Sequence, residues 1–239
     1  MSGKSEKSSS IWSLVEAAAP HTRRILLYGP PGTGKSYLAR QAGLDGREVY
    51  PVSIHSDLPA AELRGHFIPT QDGGMKWMDG PATTAWRNGG RLILDEIDHA
   101  GDDALSFLLG ILDDAPTARL VLGTTGEVIT PHDRFQVVAT MNGEPDDLPP
   151  ALADRFPVSV RVEAPHPNAI ASLPDDLRPM GASLAAHPDP NRRMPLRSLL
   201  EFDRLRVAVG QADAAMLIFG ERAQEVLDAL AIAKASEVK

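Results

Sequence analysis

The 239-residue chain contains no cysteine, which excludes disulfide bonds, thiolate metal sites and thiol redox chemistry. No apolar stretch approaches the roughly 20 residues that span a bilayer, and the N-terminus lacks the apolar region of a signal peptide. We therefore expect a cytoplasmic protein with no membrane partner. The formal net charge is −8, no stripe of Lys and Arg is present, and nucleic acid is not an expected partner. The seven histidines show no metal-ligand spacing.

What the chain does contain is a glycine-rich octapeptide between an apolar run, residues 25–28, and a helix-like stretch, residues 37–41. It reads Gly29, Pro30, Pro31, Gly32, Thr33, Gly34, Lys35, Ser36 and matches the phosphate-loop pattern G-x-x-x-x-G-K-[ST]. In such a loop, glycines let backbone N–H groups surround the phosphates. The lysine reaches the β- and γ-phosphates, and the serine hydroxyl is a ligand of Mg²⁺. These eight residues, with the adjacent Tyr37, predict binding of ATP and Mg²⁺.

Apolar runs typical of buried parallel strands recur along the first two thirds of the chain. They are residues 25–28, 49–54, 92–94, 135–140 and 158–162. Helical patterns separate them, and the clearest is a stripe of leucines at Leu105, Leu108, Leu109 and Leu112, with Asp102 and Asp103 as N-cap candidates. Strands that alternate with helices predict an α/β fold in which a parallel sheet carries helices on both faces.

The composition of the chain divides it into three segments. Residues 1–10 are small and polar, and we expect a disordered tail. Residues 11–164 carry the alternating pattern and are predicted to form the α/β core. Residues 165–195 hold seven prolines and show little periodicity, and helical patterns then begin at Leu196 and Ala223. Residues 165–239 are therefore predicted to form a small helical domain.

An apolar run ends in two adjacent carboxylates, Asp95 and Glu96, roughly 60 residues after the glycine-rich loop. Mg²⁺ prefers one or two protein oxygens together with waters and phosphates, so Asp95 is a candidate metal ligand beside Ser36. Glu96 is then placed to orient or deprotonate an attacking water. An acidic strand end exposed to solvent is the alternative. The adjacent glutamate favours hydrolysis over transfer of the phosphoryl group to another small molecule.

With both motifs in this order, residues 11–235 resemble an AAA+ ATPase, and more narrowly the MoxR-type and dynein-related group. The resemblance implies a P-loop NTPase core with a C-terminal helical lid. Residues 135–142 resemble the sensor 1 strand, with Asn142 as the polar residue near the γ-phosphate. Taken alone, Asn142 would be interpreted as a turn residue at a strand end.

The same resemblance gives candidate roles to three arginines. Residues 152–156 are similar to the segment that carries the arginine finger, which places Arg155 at the finger position, and Arg134 is a lesser candidate. A guanidinium that one subunit presents to the next stabilises transition-state charge. An ordinary surface ion pair is the alternative for Arg155. Residues 194–200 resemble the start of the sensor 2 helix, which makes Arg197 a candidate for contact with nucleotide. A solvated arginine at a helix N-terminus is the alternative, although a cation there opposes the helix dipole.

Two insertions narrow the resemblance. Residues 63–81 are similar to the helix-2 insert of the group, and their glycines fit a projecting hairpin. Met75 and Trp77 are expected near its tip and exposed, while a core position is the alternative for Trp77. Residues 118–129 resemble the hairpin that precedes sensor 1. Together the insertions argue against the protease-unfoldase and clamp-loader branches.

The resemblance implies a homo-oligomer, a hexameric ring that hydrolyses ATP at subunit interfaces and remodels, matures or activates a protein partner. Such proteins often work with a von Willebrand A-domain adaptor. The group includes activators of carbon-fixing enzymes, nitric oxide reductase maturation factors and gas-vesicle ATPases. Two alternatives remain: a nucleic-acid motor or loader, and a nucleotide-gated scaffold with little turnover. The acidic charge disfavours the first, and the set Lys35, Asp95, Glu96 and Arg155 disfavours the second.

Overall fold

A computed structural model describes residues 10–113, 118–122, 126–185, 187 and 193–237. These residues divide into two compact units, one within residues 1–29 and 35–161 and the other within residues 30–34 and 162–239. The first nine residues of the predicted tail lie outside the described residues. Ser10, the tenth, precedes the first helix and caps it, because its hydroxyl oxygen accepts a hydrogen bond from the amide of Ser13 at 3.3 Å.

A parallel sheet of five strands forms the centre of the first unit, in the order β2-β5-β8-β1-β9. The described strands are β1 Arg24–Tyr28, β2 Val49–Ser53, β3 Gly65–Pro69, β4 Met75–Asp79, β5 Arg91–Asp95, β6 Leu120–Val121, β7 Val128–Ile129, β8 Gln136–Thr140 and β9 Val158–Arg161. Each strand predicted from an apolar run lies in this sheet, within one residue at each end. The predicted α/β class is therefore confirmed.

Burial explains why the central strands are apolar along their whole length. All five residues of β8 are buried, and Ile25, Leu26 and Leu27 of β1 are at most 1% exposed. A parallel sheet that is covered on both faces has no solvent-facing side on which polar residues would be favoured. The continuous apolar runs are the sequence pattern of that burial.

The helices of the first unit are α1 Ile11–Ala18, α2 Lys35–Gln41, α3 Ala60–Arg64, α4 Pro81–Asn88, α5 Asp102–Ile111 and α6 Pro150–Ala153. The predicted N-cap of α5 is wrong. Gly101 is the N-cap, and Asp102 and Asp103 already belong to the first turn. There the carboxylate charges complement the helix dipole. Asp103 also accepts the amide of Ala60 at 2.7 Å, which satisfies an N-terminal donor of α3.

Both predicted hairpins are present. Strands β3 and β4 pair antiparallel, and so do β6 and β7, between which residues 123–125 lie outside the described residues. Met75 is 62% exposed, as expected. Trp77 is half-buried, and neither the exposed nor the core prediction describes it. Its indole N–H donates to Asp79 at 2.7 Å, and its ring meets Phe67 edge to face at 5.5 Å.

The second unit contains α7 Pro167–Ala171, α8 Arg178–Ala185, α9 Leu196–Val209, α10 Gln211–Phe219 and α11 Ala223–Glu237. Its core includes Leu199 and Phe202, both fully buried. Two helices, α7 and α8, lie in the proline-rich segment where the sequence showed little periodicity. Pro167 is the first residue of α7 and Pro179 the second of α8, positions at which proline starts a helix instead of breaking it. None of the described helices has the length and apolar run needed to cross a bilayer.

Trp86 provides a test of the core of the first unit. Its side chain is 1% exposed and stacks on Phe135 at 5.9 Å, but its indole N–H has no hydrogen-bond partner among the described residues. Trp86→Ala should lower the free energy of unfolding by about 3–5 kcal/mol. Trp86→Phe should cost only about 1 kcal/mol, because it removes an unsatisfied buried donor along with the ring volume. Urea denaturation measures both values, and equal losses would contradict this account.

Candidate active site

The loop between β1 and α2 turns through three glycines that adopt left-handed backbone angles. Gly29, Gly32 and Gly34 have φ of 122°, 77° and 91°, values that side-chain-bearing residues rarely adopt. The Thr33 hydroxyl donates to the carbonyl oxygen of Pro30 at 3.1 Å within the loop. The glycines of the predicted phosphate loop are therefore needed for its backbone path as well as for close approach of a ligand.

Lys35 is the first residue of α2, and its side chain is only 6% exposed. Its Nζ donates to Gly29 O at 2.9 Å and to Asn142 Oδ1 at 3.0 Å. Burial lowers the pKa of Lys35 to about 8, although the charges of Asp95, Asp98 and Glu96 act in the opposite direction. At pH 7 the ammonium is still protonated, so a buried cation faces the carboxyl end of the sheet.

Ser36 and Asp95 provide two adjacent oxygen atoms of the kind that Mg²⁺ prefers. Ser36 Oγ donates to Asp95 Oδ1 at 2.8 Å. The Thr140 hydroxyl also donates to Asp95, which orients the carboxylate from the neighbouring strand. A hydroxyl and a carboxylate oxygen match the one or two protein ligands that Mg²⁺ takes in nucleotide sites. The donor set fits the predicted metal.

Glu96 follows Asp95 in a strained backbone conformation. Its φ of 60° and ψ of 50° are left-handed, which costs roughly 1–2 kcal/mol for a residue other than glycine. Its amide donates to Thr140 Oγ1 at 3.3 Å, and Asn142 Nδ2 donates to Glu96 Oε1 at 3.3 Å. Asn142 therefore connects Lys35 to Glu96, with its oxygen toward the ammonium and its nitrogen toward the carboxylate.

Two further residues of this cluster, Thr140 and Asp98, were not among the predicted site residues. Thr140 is the last residue of the predicted strand run 135–140, and it is 2% exposed. Its position next to the carboxylates follows from the parallel pairing of β5 with β8. Asp98 lies in the short 3₁₀ turn after Glu96, and its charge partly opposes the lowering of the Lys35 pKa by burial. A third acidic residue, two positions after Glu96, was the available signal for it.

The two candidates for the arginine finger make their described contacts outside this cluster. Arg155, after α6, is 31% exposed and lies 3.5 Å from Asp113 and 3.8 Å from Asp154. Arg134 precedes β8, at the opposite end of that strand from Asn142, and donates to Asp45 O at 2.6 Å.

The remaining predicted contacts of nucleotide are both on helix surfaces. Tyr37, in α2, is 54% exposed. Arg197 is the second residue of α9 in the second unit and is exposed. The roles of Arg155, Arg197 and Tyr37 stay predictions.

Residues 24–156 match the family described as AAA domain (dynein-related subfamily). This match covers more than half of the 239 residues. The chain belongs to this family. The resemblance to the MoxR-type and dynein-related group is thereby confirmed. The glycine-rich loop, Asp95 and Glu96 all lie inside the matched region.

This AAA domain has relatives among bacterial proteins. Protein NorQ of Paracoccus denitrificans is 36% identical over 160 residues, which are 65% of this chain and 58% of that protein. The denitrification regulatory protein NirQ of Pseudomonas aeruginosa is 35% identical over 64% of this chain and 59% of its own length. The alignments thus span about three fifths of either relative.

A solved structure supports the fold. NtrX from Brucella abortus in complex with ADP superposes with a TM-score of 0.57, at 19% identity, over 86% of this chain and 51% of that one. At this identity the likeness concerns the fold alone, which is the α/β core with C-terminal helices that the AAA family shares.

The lowered pKa of Lys35 predicts proton uptake when ATP binds without metal. At pH 8.5 a lysine with a pKa of about 8 is mostly neutral, and the phosphates favour its charged form. Binding in EDTA at pH 8.5 should therefore take up about 0.7 of a proton. Calorimetry in two buffers of different ionisation enthalpy measures this number. At pH 7.0, where Lys35 already carries its proton, the uptake by the protein should be much smaller, and no uptake at pH 8.5 would refute the assignment.

Proposed function

We propose that this AAA domain hydrolyses ATP with Mg²⁺ at the interfaces of a homo-oligomeric ring, and that hydrolysis drives remodelling, maturation or activation of a protein partner. The observation that carries the proposal is the hydrogen-bonded series Lys35, Asn142 and Glu96 beside the pair Ser36 and Asp95. It joins a buried cation, an amide, a carboxylate and two metal-type oxygens at the carboxyl edge of one sheet.

Each side chain has a role that its position supports. Lys35 and the loop amides would bind the β- and γ-phosphates, while Ser36 and Asp95 would hold Mg²⁺, which neutralises phosphate charge when it is bound. Asn142 would contact the γ-phosphate. Glu96 would orient the attacking water or accept a proton from it. Its side chain is exposed, so that water from the solvent can reach the carboxylate.

A ring is proposed because the described contacts of Arg155, the residue at the finger position, lie outside this cluster. The side chain of Arg155 lies beside Asp113 and Asp154, and these pairs are long enough for the guanidinium to exchange partners. In a ring, one face of a subunit meets a different face of its neighbour, so Arg155 of one copy could complete the site of another. The hexamer and the adaptor come from the family resemblance.

A protein partner is favoured over nucleic acid. The chain has a net charge of −8 and therefore lacks the excess of Lys and Arg on which sequence-independent nucleic-acid affinity depends. The name of the Pseudomonas relative, a denitrification regulatory protein, supports control of another protein's activity. A scaffold with little turnover is disfavoured because the proposed water-orienting glutamate is present and hydrogen bonded to Asn142.

Two variants should distinguish ATP binding from ATP hydrolysis. Lys35→Ala should abolish tight ATP binding because it removes the buried cation. Glu96→Gln should bind ATP and lose turnover by about 10²-fold or more, since the amide cannot accept a proton. Equilibrium binding and phosphate release measure the two effects. Glu62→Gln, an exposed position on α3, is the control and should match wild type. Wild-type turnover by Glu96→Gln would remove Glu96 from the mechanism.

Mixed rings test the arginine in trans. Arg155→Ala should bind ATP and assemble but hydrolyse at least about 10³-fold more slowly. When it is mixed with Lys35→Ala subunits, interfaces between an intact Arg155 and an intact phosphate loop should restore part of the activity. Arg134→Ala tests the lesser finger candidate, and we expect it to keep its activity, because the Arg134 side chain bonds Asp45 O at the other end of β8 from Asn142. Absence of recovery in rings shown to be mixed, or full activity of diluted monomers, would refute the model.

A further inference from the structure

The helix that follows the phosphate loop, α2, is hydrogen bonded to β5 near both of its ends. In its first turn, Ser36 Oγ donates to Asp95 at 2.8 Å. At its other end, Arg91 donates from Nη1 to Ala39 O and from Nη2 to Gly43 O, both at 3.0 Å. Arg91 and Asp95 are the first and last residues of β5. Because side chains alternate along a strand, both lie on the face that meets α2.

A second strand holds Arg91 in place. Arg91 Nε donates to Gln136 Oε1 at 2.7 Å, and the arginine side chain is fully buried. A guanidinium can only donate, so the Gln136 amide must present its oxygen to Arg91. Gln136 Nε2 is then directed to Ala19 O and Thr22 O, at 2.5 and 2.6 Å. The interaction therefore connects α2, the starts of β5 and β8, and the segment before β1.

The partners of this buried cation are dipoles. Among the described residues no carboxylate lies within ion-pair distance of Arg91. Burial and the nearby charge of Arg47 lower the pKa of Arg91 to about 10, so the guanidinium stays charged at neutral pH. Ala39 lies in the last turn of α2 and Gly43 just beyond it. The last carbonyls of a helix lack intrahelical donors, and a cation is favoured there by the helix dipole.

We propose that Arg91 is a positioning residue: it sets where α2 lies along β5 and thereby places Ser36 against Asp95. Helix α2 is roughly 10 Å long, so a displacement at the Arg91 end moves the Ser36 end of a nearly rigid segment. The ligands proposed for Mg²⁺ lie at that end. The inference rests on the proposed function, because the geometry that Arg91 sets matters only if ATP and Mg²⁺ bind there.

A purely structural role would have a different signature. Ile93 lies between Arg91 and Asp95 on the same face of β5 and is 1% exposed. Ile93→Val makes a small change to the packing against α2 without altering any hydrogen bond of the arginine or of Ser36. If Arg91 only stabilises the fold, its replacement and that of Ile93 should both lower stability and leave the effect of Mg²⁺ on ATP affinity unchanged.

The test compares wild type, Arg91→Met, Arg91→Lys and Ile93→Val at a temperature at which thermal unfolding shows each to be folded. ATP affinity is measured by calorimetry at pH 7 with Mg²⁺ and again with EDTA, and kcat and KM for hydrolysis are measured in parallel. The ratio of the two affinities reports how well the protein holds the metal with the nucleotide. It does not depend on turnover.

Arg91→Met should reduce the ratio and kcat by about 10-fold, the lower range for residues that orient metal ligands, with a smaller change in KM. Arg91→Lys should fall between wild type and Arg91→Met, because one ammonium cannot reproduce the planar fork. Ile93→Val should keep the wild-type ratio. A wild-type ratio in folded Arg91→Met overturns the inference, and if that variant does not fold, a wild-type ratio in Arg91→Lys does so. If wild type itself gains no affinity from Mg²⁺, the proposed function fails instead.

Discussion

The parallel register of three adjacent strands determines where the side chains of the candidate site meet. In the order β5-β8-β1, Leu94 pairs with Ala139 and Leu27 with Thr140. The chain therefore leaves the sheet on one edge after each strand: into the phosphate loop after β1, into Glu96 after Asp95 ends β5, and toward Asn142 after β8. Ligands of open α/β sheets bind at this edge because the loops after the strands collect there. Residues more than 100 positions apart, such as Lys35 and Asn142, reach hydrogen-bond distance through this register.

The assembled edge offers an anion a buried ammonium, although the whole chain is acidic and Asp95, Glu96 and Asp98 lie near Lys35. Lys35 is buried, and two of its hydrogen-bond partners are the neutral oxygens of Gly29 and Asn142. The Asp95 carboxylate accepts hydrogen bonds from the hydroxyls of Ser36 and Thr140. A phosphate would thus meet an ammonium that burial has partly desolvated, and attraction between charges is stronger where water is excluded. Net charge describes solubility and long-range steering, whereas affinity for phosphate depends on this local arrangement.

Local sequence patterns predicted most of the strands and helices and the residues of the motifs. They did not predict the roles of residues that depend on contacts between distant segments. The strands were predictable because burial on both faces imposes continuous apolar runs, and Ser36 and Asp95 because their motifs specify residue type and spacing. The roles of Thr140 and Arg91 were not predictable, since they arise from the pairing between β5 and β8. Helix α8 was missed because prolines that start a helix resemble prolines that exclude one.

The N-cap of α5 was misplaced for a related reason. Aspartate is favoured both at the cap and in the first turn, so its presence does not locate the cap within one or two residues. In the hairpin, the half-buried state of Trp77 depends on Asp79 and Phe67. Its spacing in the sequence does not reveal these partners.

Arg91 shows why the placement of α2 and the stability of the fold must be considered separately. Transfer of a guanidinium from water to the interior is costly, and an apolar side chain of similar size often serves stability as well or better. Here the cost is offset by three directed hydrogen bonds, to Ala39, Gly43 and Gln136, and by the dipole of α2. An apolar residue would fill the same volume but would permit α2 to shift along the sheet, since dispersion contacts have little directional preference. Directed bonds at both ends of α2 hold the distance between its hydroxyl and the strand-end carboxylate within a narrow range.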